Sequence, residues 1–386
     1  MAMETNNTPA LRFPGFAEEW EEKTLGEVFK TYSGGTPDTT KKKAYYGGTI
    51  PFIRSAEINK EETELFLTQE GLEKSSAKLV NKGDLLVALY GANSGDSAIA
   101  KINGAINQAV LCLQSENSNV FVQNFLQHNR ELITQKYLQG GQGNLSGEII
   151  KSIRVPFPSS KEQQKIAACL VSLDALITAA VERLEGLQQH KKGLLQRLFP
   201  CEGSNTPELR FAGFTGAWEE KTLGEVLSYI QPTPYIVDST VYDSAGIPVL
   251  TAGKTFVLGY TDEADGIFTN LPTIIFDDFT TESRYINFPF KVKSSAIKML
   301  TLKDDNNDLY FLYSLMSTID FTVGAHKRYW ISEFQNLIVS IPSLPEQRKI
   351  ASCLSSLDTL IEVQQERITL LKTHKKGLLQ QLFPNY

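Results

Sequence analysis

The sequence predicts an α+β chain: a globular mixed α/β domain and a long helix, duplicated in tandem, with the two helices packed as an antiparallel coiled coil. Three observations carry this. Residues 11–29 repeat as 209–227, with fourteen of nineteen positions identical. Residues 155–200 repeat as 339–384, with 28 of 46 positions identical. Both of these longer stretches hold a sustained heptad pattern. A length of 386 residues suggests two or three domains, and the repeats resolve it into one unit of roughly 190 residues used twice.

In order, the chain divides into a first domain at 1–158, a helix at 159–200, a second domain at 201–342 and a second helix at 343–386. The intervening segments, 30–154 and 228–338, look unrelated at first. Yet weak parallels run through them in the same order. Ile50-Pro51-Phe52-Ile53 answers Ile247-Pro248-Val249-Leu250, and Leu85-Leu86-Val87-Ala88 answers Ile274-Ile275-Phe276-Asp277. Ile150, Ile153 and Val155 answer Phe334, Leu337 and Val339. This is one fold used twice, with strand positions kept and loops rewritten. Two specificities on one framework explain such a pattern better than drift, because drift would not spare the flanks.

Ser159 to Glu162 and Ser343 to Glu346 both read S-x-x-E, a capping-box signature. The apolar seam that follows is Ile166, Leu170, Leu173, Ile177, Ala180, Leu184, Leu187, Lys191, Leu194, Leu198 in the first copy. In the second it is Ile350, Leu354, Leu357, Ile361, Gln364, Ile368, Leu371, Lys375, Leu378, Leu382. Such 4–3 spacing over more than four heptads indicates a coiled coil. Pro200 and Pro384 end both runs, so each helix spans roughly 60 Å at 1.5 Å per residue. With the order domain, helix, domain, helix, the second helix buries its stripe against the first only by running back. The result is approximately two-fold, the symmetry of a dimer on palindromic DNA. Lys191-Lys192-Gly193 and Lys375-Lys376-Gly377 interrupt the seam. They read as solvated helix-end charge, with contact to phosphate or a partner subunit as the other use.

Composition excludes several classes. The net charge of −6 argues against a generic basic nucleic-acid binder. The four cysteines (Cys112, Cys169, Cys201, Cys353) form no C-x-x-C pair and no disulfide framework, so a cytoplasmic location is expected. The polar start lacks a signal-peptide core, and no membrane-length apolar run is expected. No Walker A or H-E-x-x-H motif occurs, and the four histidines do not cluster. Asn287-Phe288-Pro289-Phe290 resembles the N-P-P-[FY] loop of adenine methyltransferases, but Phe288 replaces its first proline and no glycine-rich cofactor loop precedes it. Gly141-Gln142-Gly143 with Gly147 reads as a glycine-rich loop before a short strand, which is no phosphate cradle. No catalytic residue, cofactor site or metal site is expected in this chain.

What remains is binding chemistry in the two variable segments. Residues 30–154 carry net +2 and residues 228–338 net −5. Basic and aromatic residues nevertheless cluster. In the first copy the DNA-contact candidates are Lys41, Lys42, Lys43, Tyr45, Tyr46 and Arg54, then Tyr90, Asn93 and Ser94, then Gln142 and Asn144. In the second they are Thr281, Ser283, Arg284 and Tyr285, then His326, Lys327, Arg328 and Tyr329. Lysine and arginine neutralise phosphates, while arginine reads guanine and asparagine or glutamine reads adenine.

The doubled F-x-G-F-x-x-x-W-x-x-x-x-L-G-E motifs (Phe13 to Glu27, Phe211 to Glu225) resemble a known family. So do the doubled E-Q-x-K-I-A-x-C-L-x-S-L-D segments (Glu162 to Asp174, Glu346 to Asp358) and the H-K-K-G-L-L-Q-x-L-F-P endings. The chain resembles the specificity subunit of type I restriction–modification systems. The resemblance implies two target-recognition domains, each reading one half of an asymmetric bipartite site in double-stranded DNA. It implies helices that fix the unread spacer and dock two methyltransferase subunits, with restriction subunits joining through the complex. S-adenosylmethionine, ATP and Mg2+ would then belong to those partners, and the chain itself would have no active site. A coiled-coil scaffold without DNA specificity is the alternative. It accounts for the helices but not for two differing domains on one framework.

Overall fold

The computed structural model describes residues 8–115, 119–138, 144–201, 203–251, 255–324 and 327–384. It separates into two units, residues 1–180 with 367–386 and residues 181–366. Each long helix is therefore shared between them.

The first unit opens with β1 (Glu21–Thr24), α1 (Leu25–Val28) and β2 (Lys30–Ser33). Next come α2 (Lys42–Tyr45), β3 (Tyr46–Ile53), β4 (Phe66–Leu67), α3 (Gln69–Glu73) and β5 (Lys78–Val80). β6 (Leu85–Ala88), β7 (Ser97–Ile99), β8 (Gly104–Ile106) and β9 (Val110–Gln114) follow. α4 (Asn119–His128), α5 (Arg130–Leu138), α6 (Gly147–Ser152) and β10 (Arg154–Phe157) lead into α7 (Ser160–Leu198). The sheets are β1-β10, β2-β9-β6-β7 and β4-β3-β8-β5. All pairs are antiparallel except β3 with β8. Strand β6 is buried on both faces, since side chains alternate along a strand. Leu85 and Val87 enter the core that holds Phe121, Phe125, Ile166 and Leu170. Leu86 and Ala88 enter a second core with Ile53, Val80 and Ile106.

The second unit repeats this plan. Its elements are β11 (Glu219–Thr222), α8 (Leu223–Val226), β12 (Leu227–Ile230), β13 (Ile247–Leu250), β14 (Val257–Thr261), β15 (Thr273–Asp277) and β16 (Ser283–Ile286). They continue with β17 (Lys291–Val292), β18 (Ile297–Leu302), α9 (Leu309–Met316), α10 (Tyr329–Ser332), β19 (Ile338–Ile341) and α11 (Leu344–Leu382). Sheet β12-β18-β15-β16 answers β2-β9-β6-β7, and β11-β19 answers β1-β10. The parallel pair of β13 with β17 answers β3 with β8. The place of β5 is taken in the second unit by a single antiparallel bridge, Phe268 with Phe290, whose N–H groups donate to each other's carbonyls at 2.8 and 3.3 Å.

The repeated motifs have a physical reason. Glu162, 1% exposed, takes Arg12 in a two-pronged fork at 2.9 and 2.7 Å and the Trp20 Nε1–H at 3.2 Å. Glu346 takes Arg210 in the same way at 2.7 and 2.8 Å. The repeat head is thereby clamped to the helix start. This corrects the capping-box expectation, because these carboxylates face the arginines rather than their own helix ends.

Within the first unit, the end of α11 runs antiparallel to the start of α7. Leu382 and Phe383 join Ile166 and Leu170 in the core, and Lys375 pairs with Asp174 at 2.6 Å. Within the second unit, Leu198 and Phe199 join Ile350 and Leu354, and Lys191 pairs with Asp358. The seam lysines are thus ion-paired, not merely solvated. The start of each repeat also hydrogen-bonds the helix that enters it: the Leu11 N–H donates to Gln381 O (2.9 Å) and the Leu209 N–H to Arg197 O (2.8 Å).

Two smaller expectations change. Helix α7 does contain an 18-residue window of mean hydropathy 1.5, long and apolar enough to cross a membrane, with 28% of it buried. That window includes Leu170 and Leu173, which are buried, and the paired Asp174. Gly147 opens α6 rather than preceding a strand, and Ser146 caps that helix by accepting from the Ile149 N–H at 3.2 Å.

Candidate nucleic-acid interface

The loop between β6 and β7 is a tight reversal. Gly91 and Gly95 take φ of +80 and +84, the left-handed region that glycine occupies without strain. The Gly95 N–H donates to Ala88 O (2.9 Å) and the Ala88 N–H to Asp96 O (2.8 Å). A second segment then closes beside this loop, when the Leu145 N–H donates to Leu89 O at 3.0 Å. In the second unit the loop between β15 and β16 is closed by the same bond, as the Tyr329 N–H donates to Asp278 O at 2.9 Å. Leu89 and Asp278 each follow the last residue of the equivalent strand, and Leu145 and Tyr329 are 0% and 1% exposed. Both copies therefore present one constellation: a hairpin loop and a returning segment, joined at their base. Tyr90, Asn93, Ser94 and Asn144 fall on these paired loops in the first unit, and Thr281, Lys327 and Arg328 in the second, where Ser283, Arg284 and Tyr285 follow on β16 and Tyr329 opens α10.

Within each pair the roles divide. Tyr90 is 38% exposed, and Asn144 is exposed. Asn93 lines a cleft of about 690 Å³ with Asn59, Lys82, Lys101 and Arg130. Ser94 is buried; its hydroxyl donates to Leu89 O (3.0 Å) and accepts from the Leu145 N–H (3.4 Å). It closes the loop and is not available to DNA, which corrects its assignment as a contact. Gln142 and His326 lie outside the described residues.

In the second unit Thr281 takes φ of +62, a conformation that costs a non-glycine residue energy and is held by its surroundings. Its N–H donates to Asp277 O at 2.9 Å. The Asp277 carboxylate accepts from the Phe279 N–H (2.9 Å) and the Thr280 N–H (3.3 Å). Ser283 is half-buried at the start of β16. The exposed Arg284 guanidinium stacks 4.6 Å from the Phe256 ring centroid, and Arg328 donates to Ser295 Oγ at 3.1 Å. Lys327 pairs with Glu333. Tyr329 is 1% exposed, with its hydroxyl accepting from the Gly324 N–H. Tyr285 packs edge-on against Tyr310 at 5.1 Å and tilted against Tyr313 at 5.9 Å; burial pushes its hydroxyl pKa up. Both rings pack against neighbouring aromatic residues.

The cluster at 41–46 lies apart from these loops in the sequence and divides the same way. Lys41, Lys42 and Lys43 are exposed. Tyr45 is 5% exposed and carries Lys41 Nζ 5.6 Å from its ring centroid. The Tyr46 hydroxyl donates to Pro37 O at 3.0 Å. Arg54, a DNA-contact candidate, is engaged within the protein. It forks onto Glu57 at 2.9 Å, a carboxylate 2% exposed, and onto Glu64 at 2.5 Å.

Sequence reasoning missed Arg130, Lys82 and Lys101. Arg130 pairs with Asp96 at 2.9 Å and donates to Ser94 O at 3.2 Å, so it braces the hairpin loop from α5. The nucleic-acid candidates are therefore the displayed Lys41–Lys43, Tyr90, Asn93, Asn144, Thr281, Ser283, Arg284, Lys327 and Arg328. No group of histidine, cysteine and carboxylate residues able to hold a metal occurs among the described residues. The methyltransferase-like stretch at 287–290 ends in Phe290, buried against Phe268 at 5.0 Å, a core position.

Known proteins match this arrangement. The type I restriction enzyme EcoR124I/EcoR124II specificity subunit of Escherichia coli is 44% identical over 146 residues, 36% of each chain. The MjaIX specificity subunit of Methanocaldococcus jannaschii is 26% identical over 405 aligned positions, 95% of this chain and 93% of that one. The solved type I restriction–modification S subunit from M. genitalium aligns with a TM-score of 0.67 at 17% identity, covering 98% of this chain and all of its own. A further chain, from a structure of type I R-M complex assembly, aligns with a TM-score of 0.56 at 14% identity. The family model for the type I restriction modification DNA specificity domain matches residues 17–189 and again 216–373. Each match runs from a repeat head into a long helix, and the chain belongs to this family.

Proposed function

We propose that each unit reads one half of an asymmetric bipartite DNA site and that the long helices set the unread spacer between the halves. The supporting observation is the doubled loop constellation, closed by the same backbone bond in both units while its loop residues differ. A fold repeated with its scaffold kept and its exposed loops rewritten is what two half-site specificities require. A scaffold without DNA specificity leaves that rewriting unexplained. The chain serves as a specificity subunit and performs no chemistry itself. Adenine methylation, with S-adenosylmethionine, and ATP-driven translocation and cleavage, with Mg2+, belong to partner methyltransferase and restriction subunits. Exposed apolar side chains on the helices, Val171 and Leu176 on one and Leu360 and Val363 on the other, support docking of two methyltransferase subunits. The net charge of −6 supports sharing of phosphate contacts with such partners, in the cytoplasm where the DNA lies.

The test exchanges residues 30–154 for the equivalent segment of a relative and assays the assembled complex on a library of bipartite sites. One half-site should change and the other should not. A change in both halves refutes independent reading, and absence of any sequence preference in the unexchanged complex refutes the function.

A further inference from the structure

The bases of the two loop pairs differ in one respect. In the first unit Leu89 and Leu111, each 2% exposed, belong to the apolar core. Leu111 pairs with Val87 and Lys298 with Phe276, so the strand register makes Lys298 the counterpart of Leu111. Asp278 is the counterpart of Leu89. The second unit thus replaces a buried leucine pair by a buried ion pair. Asp278 and Lys298 side chains are 1% and 2% exposed and 3.5 Å apart, and Lys298 Nζ lies 4.9 Å from the Tyr229 ring centroid.

Stability does not explain the exchange. Desolvating two charges costs about what their attraction returns, and apolar replacements of such pairs are often as stable or more so. What the carboxylate supplies is direction. One oxygen accepts from the Trp330 N–H at 2.8 Å, and the residue's own carbonyl accepts from the Tyr329 N–H. Its N–H donates to Ala296 O at 2.9 Å. One residue therefore ties the returning segment, with Lys327 and Arg328, to the loop that holds Thr281 in its left-handed conformation. Lys298, 3.5 Å away, holds that carboxylate in place.

We propose that Asp278 and Lys298 are positioning residues that determine specificity for the half-site read by the second unit. This rests on the half-site reading above. The test expresses the full chain with its methyltransferase partner in a cell free of other adenine methylation and maps methylated adenines across the genome. D278L/K298L installs the leucine pair of the first unit. It should keep the fold and keep discrimination in the first half-site. In the second half-site, discrimination at one or more positions should fall about tenfold, the scale of a single base-pair preference. D278N/K298M, which keeps an acceptor for the Trp330 N–H without either charge, should stay within about twofold of the unaltered chain on the same scale.

Unchanged second-half discrimination in a folded D278L/K298L overturns the proposal, as does equal loss in both double variants. If D278L/K298L does not fold, D278A/K298M serves as the variant without acceptor, and unfolding of both makes the pair a stability element and ends the proposal. If the unaltered chain shows no bipartite preference, the half-site reading fails instead.

Discussion

Glu162 shows how a repeated residue acts through a partner far away in the chain. Its carboxylate is 1% exposed and holds Arg12 and Trp20 together. Removing it leaves a guanidinium in a largely buried site without its counter-charge. Glu162→Ala should therefore destabilise the first unit by about 3–5 kcal/mol, the usual effect of breaking a buried pair from one side. Glu346→Ala should do the same to the second unit. Hydrogen exchange resolved by peptide checks both, since each variant should loosen its own unit and spare the other; loss spread over both units would contradict the assignment. The motifs are plain in the sequence, but this pairing is not. Glu162 sits three residues after a serine, so local pattern points to a helix cap, whereas the arginine that claims it lies 150 positions away. Arg54 misleads for the same reason. A basic residue after an apolar strand looks free until Glu57 and Glu64 are brought to it.

At the scale of elements, legibility follows periodicity. Both 39-residue helices stand out because their 3.5-residue repeat runs for several heptads. Strands β6 and β15 show only as apolar runs, since burial on both faces erases the alternation that marks a strand. The four-residue helices carry too few positions to show any period. The helix ends have a further role, because each plugs a core. Phe383 packs on Phe121 at 5.2 Å and Phe125 at 5.8 Å, and Phe199 packs on Phe311 at 5.3 Å and Trp218 at 6.3 Å. Phe383→Ala should destabilise the first unit, and Phe199→Ala the second, by about 3–5 kcal/mol, as for other buried aromatics cut to alanine. Urea unfolding followed unit by unit checks this, and an equal effect of either variant on both units would contradict it. The exposed lysines of the 41–43 turn belong to the same scale. Replacing all three by alanine should weaken DNA binding by the assembled complex and lower its salt slope by roughly 0.9 for each phosphate no longer neutralised. An unaltered slope in binding titrations at several salt concentrations would mean that these lysines are plain surface.

For the whole molecule, charge and helix length bear on one question. The acidic total comes from the repeat heads and the second variable segment, while residues 30–154 are net +2. That balance suits a chain that grips DNA together with basic partners and whose own contribution is where it reads. The helices give the position physical content. Lys375 meets Asp174 in the first unit and Lys191 meets Asp358 in the second. These pairs are repeat-related, since Asp174 answers Asp358 and Lys191 answers Lys375. Seven residues inserted between 174 and 191, and seven more between 358 and 375, leave both ion pairs and both phenylalanine plugs with their partners. Such a chain should fold and keep both half-sites, while each helix grows by about 10 Å. If the helices set the spacer, the unread stretch should lengthen by up to about three base pairs at 3.4 Å each. The methylated sites of cells carrying the lengthened chain provide the measurement. An unchanged spacer would remove the ruler while leaving half-site reading intact. Inserting the seven residues into one helix alone should be far worse, because one ion pair or one core plug must then leave its partner, and that contrast separates a shifted spacer from a general loss of assembly.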